Sequence, residues 1–278
     1  MKRKYGLIGV GIIGLIIFII IYVTYIERHL LRVTHVEVEL PQANVALNGF
    51  KIIQISDTQL GDFYTLDDFE KVVNRCNRLK PDIVVFTGDL IDNIKYYKED
   101  LKDVVILLDS IQSRYGKYSI YGNHDQGGGA HVAYAQIMKQ SDFNLLVNET
   151  VQIDVGNTPI GITGLDDWLL GYPELDETLS QLNSELFNVL LVHEPDVADL
   201  ACHYPVNLQL SGHSHGGQVR LPFWGTLFTP EGAKKYTHGS YLLNDSFQLY
   251  VNTGLGNTML PFRFLNVPEI TLIELKAQ

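Results

Sequence analysis

The chain has 278 residues, 46% of them hydrophobic, enough for one globular domain of ordinary size and a short membrane segment. Setting Lys2, Arg3 and Lys4 aside from the 21 Lys+Arg leaves 18 against 32 Asp+Glu. A surface this acidic, with no basic run beyond the first four residues, lacks the patches that neutralise a nucleic-acid backbone, so no nucleic acid is expected as partner.

Residues 5–26 carry no charged side chain and are dominated by Ile, Leu, Val and Gly, the length and composition of a membrane-spanning helix. A cleaved signal peptide fits less well, because Tyr22, Tyr25 and Ile26 stand where small residues are needed. Lys2, Arg3 and Lys4 before the run favour a cytoplasmic tail (1–4), an uncleaved anchor (5–26), a connector (27–49) and an extracytoplasmic domain (50–278) in the cell membrane. Within that domain, strands are predicted at 50–55, 83–87 and 117–121. Between them lie helices at 65–79, with Thr65 as N-cap and Asp68 three residues on, and at 97–111. This βαβαβ order indicates a largely parallel sheet. A helix at 130–140 follows, then a hairpin of 151–154 and 159–163 around a Gly-Asn turn, and strands at 189–192, 206–210, 241–243, 248–251 and 270–275. The expected fold is α/β, two packed β-sheets flanked by helices. Cys76 and Cys202 form no CxxC or zinc-ribbon spacing and read as small buried side chains on helices, a disulfide between them remaining open.

Polar residues of ligand type fall just past the carboxyl ends of these strands: Asp57, Asp89, Asn123, His193, and His213 with His215. Parallel strands end at one edge of a sheet, so these side chains can converge there. Gly88, Gly122 and Gly212 each precede one of them, where the chain must turn tightly beside a ligand.

In order, Asp57-Thr58-Gln59, Gly88-Asp89, Gly122-Asn123-His124-Asp125, His193 and Gly212-His213-Ser214-His215 resemble the blocks of the calcineurin-like metallophosphoesterase superfamily, D-x-H, G-D, G-N-H-[DE], H and G-H-x-H. The match runs from residue 50 to 275. The anchor, the stretch 212–218 and the ending Pro268-Glu269-Ile270-Thr271-Leu272 look most like its membrane-associated bacterial branch. The resemblance implies an αββα sandwich and a dinuclear centre, with Asp57, Gln59 and His215 on metal one, Asn123, His193 and His213 on metal two, and Asp89 bridging both. It also implies a metal-bridging hydroxide as nucleophile, His124 beside the phosphoryl group, and Asp125 orienting the His124 ring. Gln59 stands where the pattern has histidine. Its oxygen is a harder donor, which favours Mn²⁺ over Zn²⁺, with Fe or Mg²⁺ as alternatives.

Other residues read as structural. His29, His35, His131 and His203 are surface or packing histidines, with His131 also a candidate for the substrate mouth. His238 is expected to be exposed, and Asp166 and Asp167 to form a turn. Phe223, Trp224, Phe228, Phe262 and Phe264 are expected to pack in the core, the alternative being contact with an acyl chain or membrane surface. The leading functional expectation is hydrolysis of a phosphodiester, pyrophosphate or monoester in a lipid headgroup, envelope polymer or phosphorylated small molecule. A non-catalytic metal- or lipid-binding relative is the alternative, and the oligomeric state is open.

Overall fold

The computed structural model describes residues 2–244 and 246–277. Helix α1 (Lys2–Ile21) runs into one π-helical turn, Tyr22–Ile26, and a 3₁₀ turn, Glu27–His29. The stretch Leu7–His29 is long and apolar enough to cross a membrane, and its most apolar 18-residue window has a mean hydropathy of 2.9 with none of that window buried. Residues 27–49, expected as a connector, carry ordered structure: β1 (Arg32–Glu39) pairs in parallel with the last strand, β14 (Glu269–Lys276).

One six-stranded sheet has the order β1-β14-β2-β3-β4-β5, with β2 (Lys51–Ile55), β3 (Ile83–Phe86), β4 (Lys117–Ser119) and β5 (Phe143–Leu145) mutually parallel and β14 antiparallel to β2. The second sheet contains β6 (Glu149–Val155), β7 (Thr158–Gly164), β8 (Phe187–Leu191), β9 (Leu208–Ser211), β12 (Gly239–Leu242) and β13 (Gln248–Val251), in the order β12-β13-β9-β8-β7-β6. Here β7, β8, β9 and β13 run parallel. A ribbon of β10 (Arg220–Leu221) and β11 (Gly225–Thr226) stands apart.

Strand periodicity assigns each side chain to a layer. Ile83 and Val85 of β3 face the second sheet and pack with Ile162, Val189 and Leu208, whereas Val84 and Phe86 face the outer helices. Those helices are α2 (Leu66–Leu79), α3 (Leu101–Asp109) and α5 (His131–Gln140); Phe69, Val72, Val73 and Cys76 form the buried stripe of α2. Thr65 caps α2, accepting from the Asp68 N–H at 3.3 Å, as expected. The second sheet's outer face is covered around α6 (Leu175–Leu179) and α7 (Ala198–Ala201), where Leu190, Val192, Leu179 and Ala198 are buried together. Helix α3 begins later than the expected residue 97, because the Asp100 carboxylate accepts from the Lys102 N–H at 2.9 Å and sets the first turn there. Cys76 is buried and Cys202 half-buried beyond the end of α7; both are free thiols, so the open disulfide is absent.

Candidate metal centre

The predicted site residues all lie at the carboxyl edge of the parallel strands. Asp57 and Gln59 follow β2, Asp89 follows β3, and Asn123 opens the short helix α4 (Asn123–Gln126) after β4. His193 follows β8, and His213 and His215 follow β9. Asp57, Gln59, Asp89, His213 and His215 have φ of 51°, 47°, 62°, 65° and 48°, a left-handed backbone that non-glycine residues adopt at a cost of roughly 1–3 kcal/mol each. Neighbouring loops hold that geometry. The Asp57 N–H donates to the Gly88 carbonyl at 2.9 Å, and Gln59 N–H to the Asp89 carbonyl at 3.1 Å. Across the two sheets, the His213 N–H donates to Asp57 Oδ1 and Oδ2, each at 3.1 Å. A Cβ on Gly212 would collide with Ser56 Oγ and Asp57 Oδ2, so this approach requires glycine.

Two overlapping groups result. Ligand atoms of Asp89, His193 and His213 lie within 4.8 Å of one another, as do those of Asp57, Asp89 and His215, so Asp89 belongs to both. His193 Nε2 is 3.3 Å from Asp89 Oδ2, and His215 Nε2 is 3.4 Å from Asp57 Oδ1. Backbone carbonyls, which only accept, fix two of the tautomers: Thr87 O lies 2.6 Å from His193 Nδ1 and Glu231 O 2.7 Å from His213 Nε2. The lone pairs left for a cation are His193 Nε2 and His213 Nδ1. Gln59 Nε2 donates to Asp89 Oδ2 at 2.8 Å, which leaves its Oε1 buried without a partner; Asn123 Oδ1, His193 Nε2 and His215 Nδ1 are orphaned in the same way. Orphaned buried donors and acceptors are costly, and a cluster of them beside two buried carboxylates is a demand for cations.

The protonation pattern without metal states the same demand. Burial pushes the Asp57 carboxyl up to about 6, against the pull of His193 and with the repulsion of Asp89. Burial also opposes ionisation of Asp89, but His193 and His124 outweigh it and hold that carboxyl well below the usual range. His193 is raised well above an ordinary imidazole: burial disfavours its charge, and Asp89 and Asp57 more than reverse this. Burial, with the His193 charge, lowers His213 to about 4. One imidazolium thus stands where divalent charge belongs. The Asp and His groups fit two divalent cations that share Asp89.

His124 lines a cleft of about 230 Å³ together with Asp89, Asn123, His213 and His215. Asp125 does not orient its ring, contrary to expectation. The Asp125 carboxylate accepts from the Asp89, Leu90 and Gly122 N–H groups at 2.6, 3.0 and 2.9 Å, and so fixes the turn that carries Asp89. The ring is held by Asp92, whose carbonyl lies 2.6 Å from His124 Nδ1 and whose carboxylate is 3.7 Å away. Asp92 and the buried Glu194 were not singled out in the sequence; an acid next to a ligand carries no sign of its role. Asp166 and Asp167 do organise a turn, accepting from the Tyr172 and Leu170 N–H groups at 2.8 and 2.6 Å. His29, His35, His131 and His203 are exposed. His238 is half-buried rather than exposed, because it lines a groove with Thr34 and His35 of β1. Phe223, Trp224 and Phe228 are exposed instead of packed in the core, because the β10–β11 ribbon projects from both sheets; Phe262 and Phe264 are half-buried.

Buried carboxylates facing imidazoles across two sheets, with their lone pairs unspent, suit metal-dependent hydrolysis better than they suit stability. The chain belongs to the calcineurin-like phosphoesterases, hydrolases acting on phosphoric ester bonds, whose family profile matches residues 50–217. It is 45% identical to an uncharacterized metallophosphoesterase of Bacillus subtilis, over 92% of this chain and 89% of that protein. It is 27% identical to the UDP-2,3-diacylglucosamine pyrophosphatase LpxG of Chlamydia muridarum, over 91% of this chain and 92% of that one. Among solved structures, the NAD nucleotidase of Haemophilus influenzae shares the fold, with a TM-score of 0.51 at 13% identity over 74% of this chain and 45% of that one.

Proposed function

We propose that the chain is a membrane-anchored, two-metal phosphoesterase that cleaves a phosphodiester, pyrophosphate or monoester in a lipid-headgroup or envelope substrate. The observation that carries this reading is the membership of Asp89 in both ligand groups, since two cations about 3.5–4 Å apart repel and need an anion between them. Asp57, Gln59 and His215 hold one cation; Asn123, His193 and His213 hold the other. The Gln59 oxygen, in place of an imidazole, favours Mn²⁺ over Zn²⁺. Bound there, the cations would supply Lewis acidity and a water deprotonated at neutral pH to attack phosphorus.

His124 acts on the other side of the reaction. With Nδ1–H donated to the Asp92 carbonyl, Nε2 has no protein partner among the described residues and is free to meet substrate. Burial disfavours the charge on His124, but Asp89 and Asp92 overcome it and raise its pKa, favouring the imidazolium that can protonate the departing ester oxygen. Asp125 contributes by positioning Asp89. The lipid-headgroup reading draws support from the apolar helix and from the pyrophosphatase activity of the chlamydial relative. Residues 1–4 then lie in the cytoplasm, 5–26 span the membrane, and the catalytic domain, 50–278 together with the β1 strand that 27–49 contributes to its sheet, is extracytoplasmic. The test uses the full chain in detergent with bis-p-nitrophenyl phosphate and p-nitrophenyl phosphate. His124→Ala should retain both cations by metal analysis and lose about 10²–10⁴ in turnover; undiminished turnover sinks the assignment.

A further inference from the structure

Beyond α1, large exposed apolar side chains gather beside the metal centre. Phe223, Trp224 and Phe228 lie in and after the β10–β11 ribbon, and Met259, Leu260 and Leu265 in the loop that precedes β14. Trp224 is 82% exposed and Met259 83%, and soluble surfaces seldom group such side chains. Phe223, Met259 and Leu265 also have φ of 68°, 60° and 51°, strain that packing does not repay while the side chains stand in water.

The two loops form one surface, and that surface is joined to α1. The Arg220 N–H donates to the Phe264 carbonyl at 2.9 Å, and the Phe264 N–H to the Gln218 carbonyl at 3.0 Å. From the same loop, the Arg263 N–H donates to the Val23 carbonyl at 3.1 Å, and the Asn266 N–H to Oε1 of the buried Glu27 at 2.6 Å. Val23 lies inside the uncharged run that ends at Ile26, roughly 4–5 Å from its end at helical rise. A span that begins there sets the Arg263 backbone at the level of the headgroups.

We infer that the loops carrying Phe223, Trp224, Met259 and Leu260 insert into the acyl boundary of the same bilayer that holds α1, so that the metal cleft opens onto the membrane surface. Phe228 and Met259 line that cleft together with Asp89 and His124, so its mouth meets the inserted surface. Aromatic and long apolar side chains prefer this boundary, and Lys234, whose Nζ lies 5.3 Å over the Phe228 ring, sets a cation at the lipid phosphates. A lipid headgroup would then reach the metal centre without leaving the membrane. The inference rests on reading α1 as a membrane span.

The test is depth-dependent quenching of Trp224. The full chain carrying Trp168→Phe is reconstituted in phosphatidylcholine–phosphatidylglycerol vesicles; subtracting Trp224→Phe emission from that of wild type gives the same signal should Trp168→Phe not fold. A blue-shifted emission that is lost in brominated lipid and shielded from aqueous iodide is the expected result. Water-like emission, quenched by iodide and indifferent to brominated lipid, overturns the docking while leaving the anchor and the hydrolase assignment intact. Extraction of the protein from vesicles by alkaline carbonate overturns the span and the docking together.

Discussion

At the scale of single residues, Gln59 is where this site departs from its superfamily's pattern. Its Nε2 braces Asp89 at 2.8 Å while Oε1 stays buried and unpartnered, so the side chain holds the carboxylate common to both ligand groups and keeps a hard oxygen available. A histidine would replace that oxygen with a softer nitrogen. Gln59→His protein loaded from equimolar Mn²⁺ and Zn²⁺ is therefore expected to take up a larger share of zinc than wild type, by metal analysis; an unchanged ratio counts against ligation by Gln59. The seven residues expected to hold metal were legible as candidates because each lies near a strand end with a distinctive side chain, and the fold brings the five Asp and His among them together. Their supports were not. The carbonyls of Thr87, Glu231 and Asp92 orient three imidazoles, and any residue type can supply a carbonyl. Asp125 was misread because it follows His124 in sequence, whereas adjacent residues in a helical turn point apart, which turns its carboxylate to the Asp89 loop.

At the scale of elements, the caps and periodicities of α2 and the central strands were readable because those signals are local. β1 was not recognised: it is an edge strand with a single buried residue, and its partner β14 lies at the opposite end of the chain. The loop after β13 escaped for a similar reason. No motif in residues 252–257 marks their role, yet the Leu255 N–H donates to the Ser56 carbonyl at 3.1 Å and the Gly256 N–H to the Asp57 carbonyl at 2.8 Å, clamping the Asp57 turn from outside. A Cβ on Gly256 would strike the Thr58 carbonyl, and backbone cannot swing aside as a side-chain tip can. Gly256→Ala should therefore cost about 1–3 kcal/mol of stability and lower metal occupancy, though it replaces no ligand. Gly61→Ala is the control, since its Cβ would meet nothing nearer than 3.7 Å, and should change neither. Denaturant melts and metal analysis on both variants read this directly; full occupancy in Gly256→Ala would show that the clamp is dispensable.

At the scale of the whole molecule, the site is also a joint. Asp57 and Asp89 extend from one sheet and His193, His213 and His215 from the other, so cations held between them tie the sandwich together at its open edge. A ligand at 100 times its dissociation constant stabilises by about 2.7 kcal/mol, and at roughly 2–4 °C per kcal/mol for a domain of this size, chelation should lower Tm by about 5–10 °C at pH 7.5. That difference should shrink in acid, and the shifts give the sign. Asp57, raised to about 6, and His193, raised above an ordinary imidazole, keep their protons in the metal-free fold to higher pH than in the unfolded chain, so metal entry must expel whatever proton each still holds. His213, depressed to about 4, gives up none above that pH and does not offset them. As pH falls through about 6, proton uptake by Asp57 stabilises the metal-free fold and competes with the cation. Differential scanning calorimetry with and without chelator should therefore show a gap that narrows from pH 7.5 to pH 5. A gap that stays constant or widens would mean that neither group yields a proton to the metal, and that the cations, if they bind, sit elsewhere.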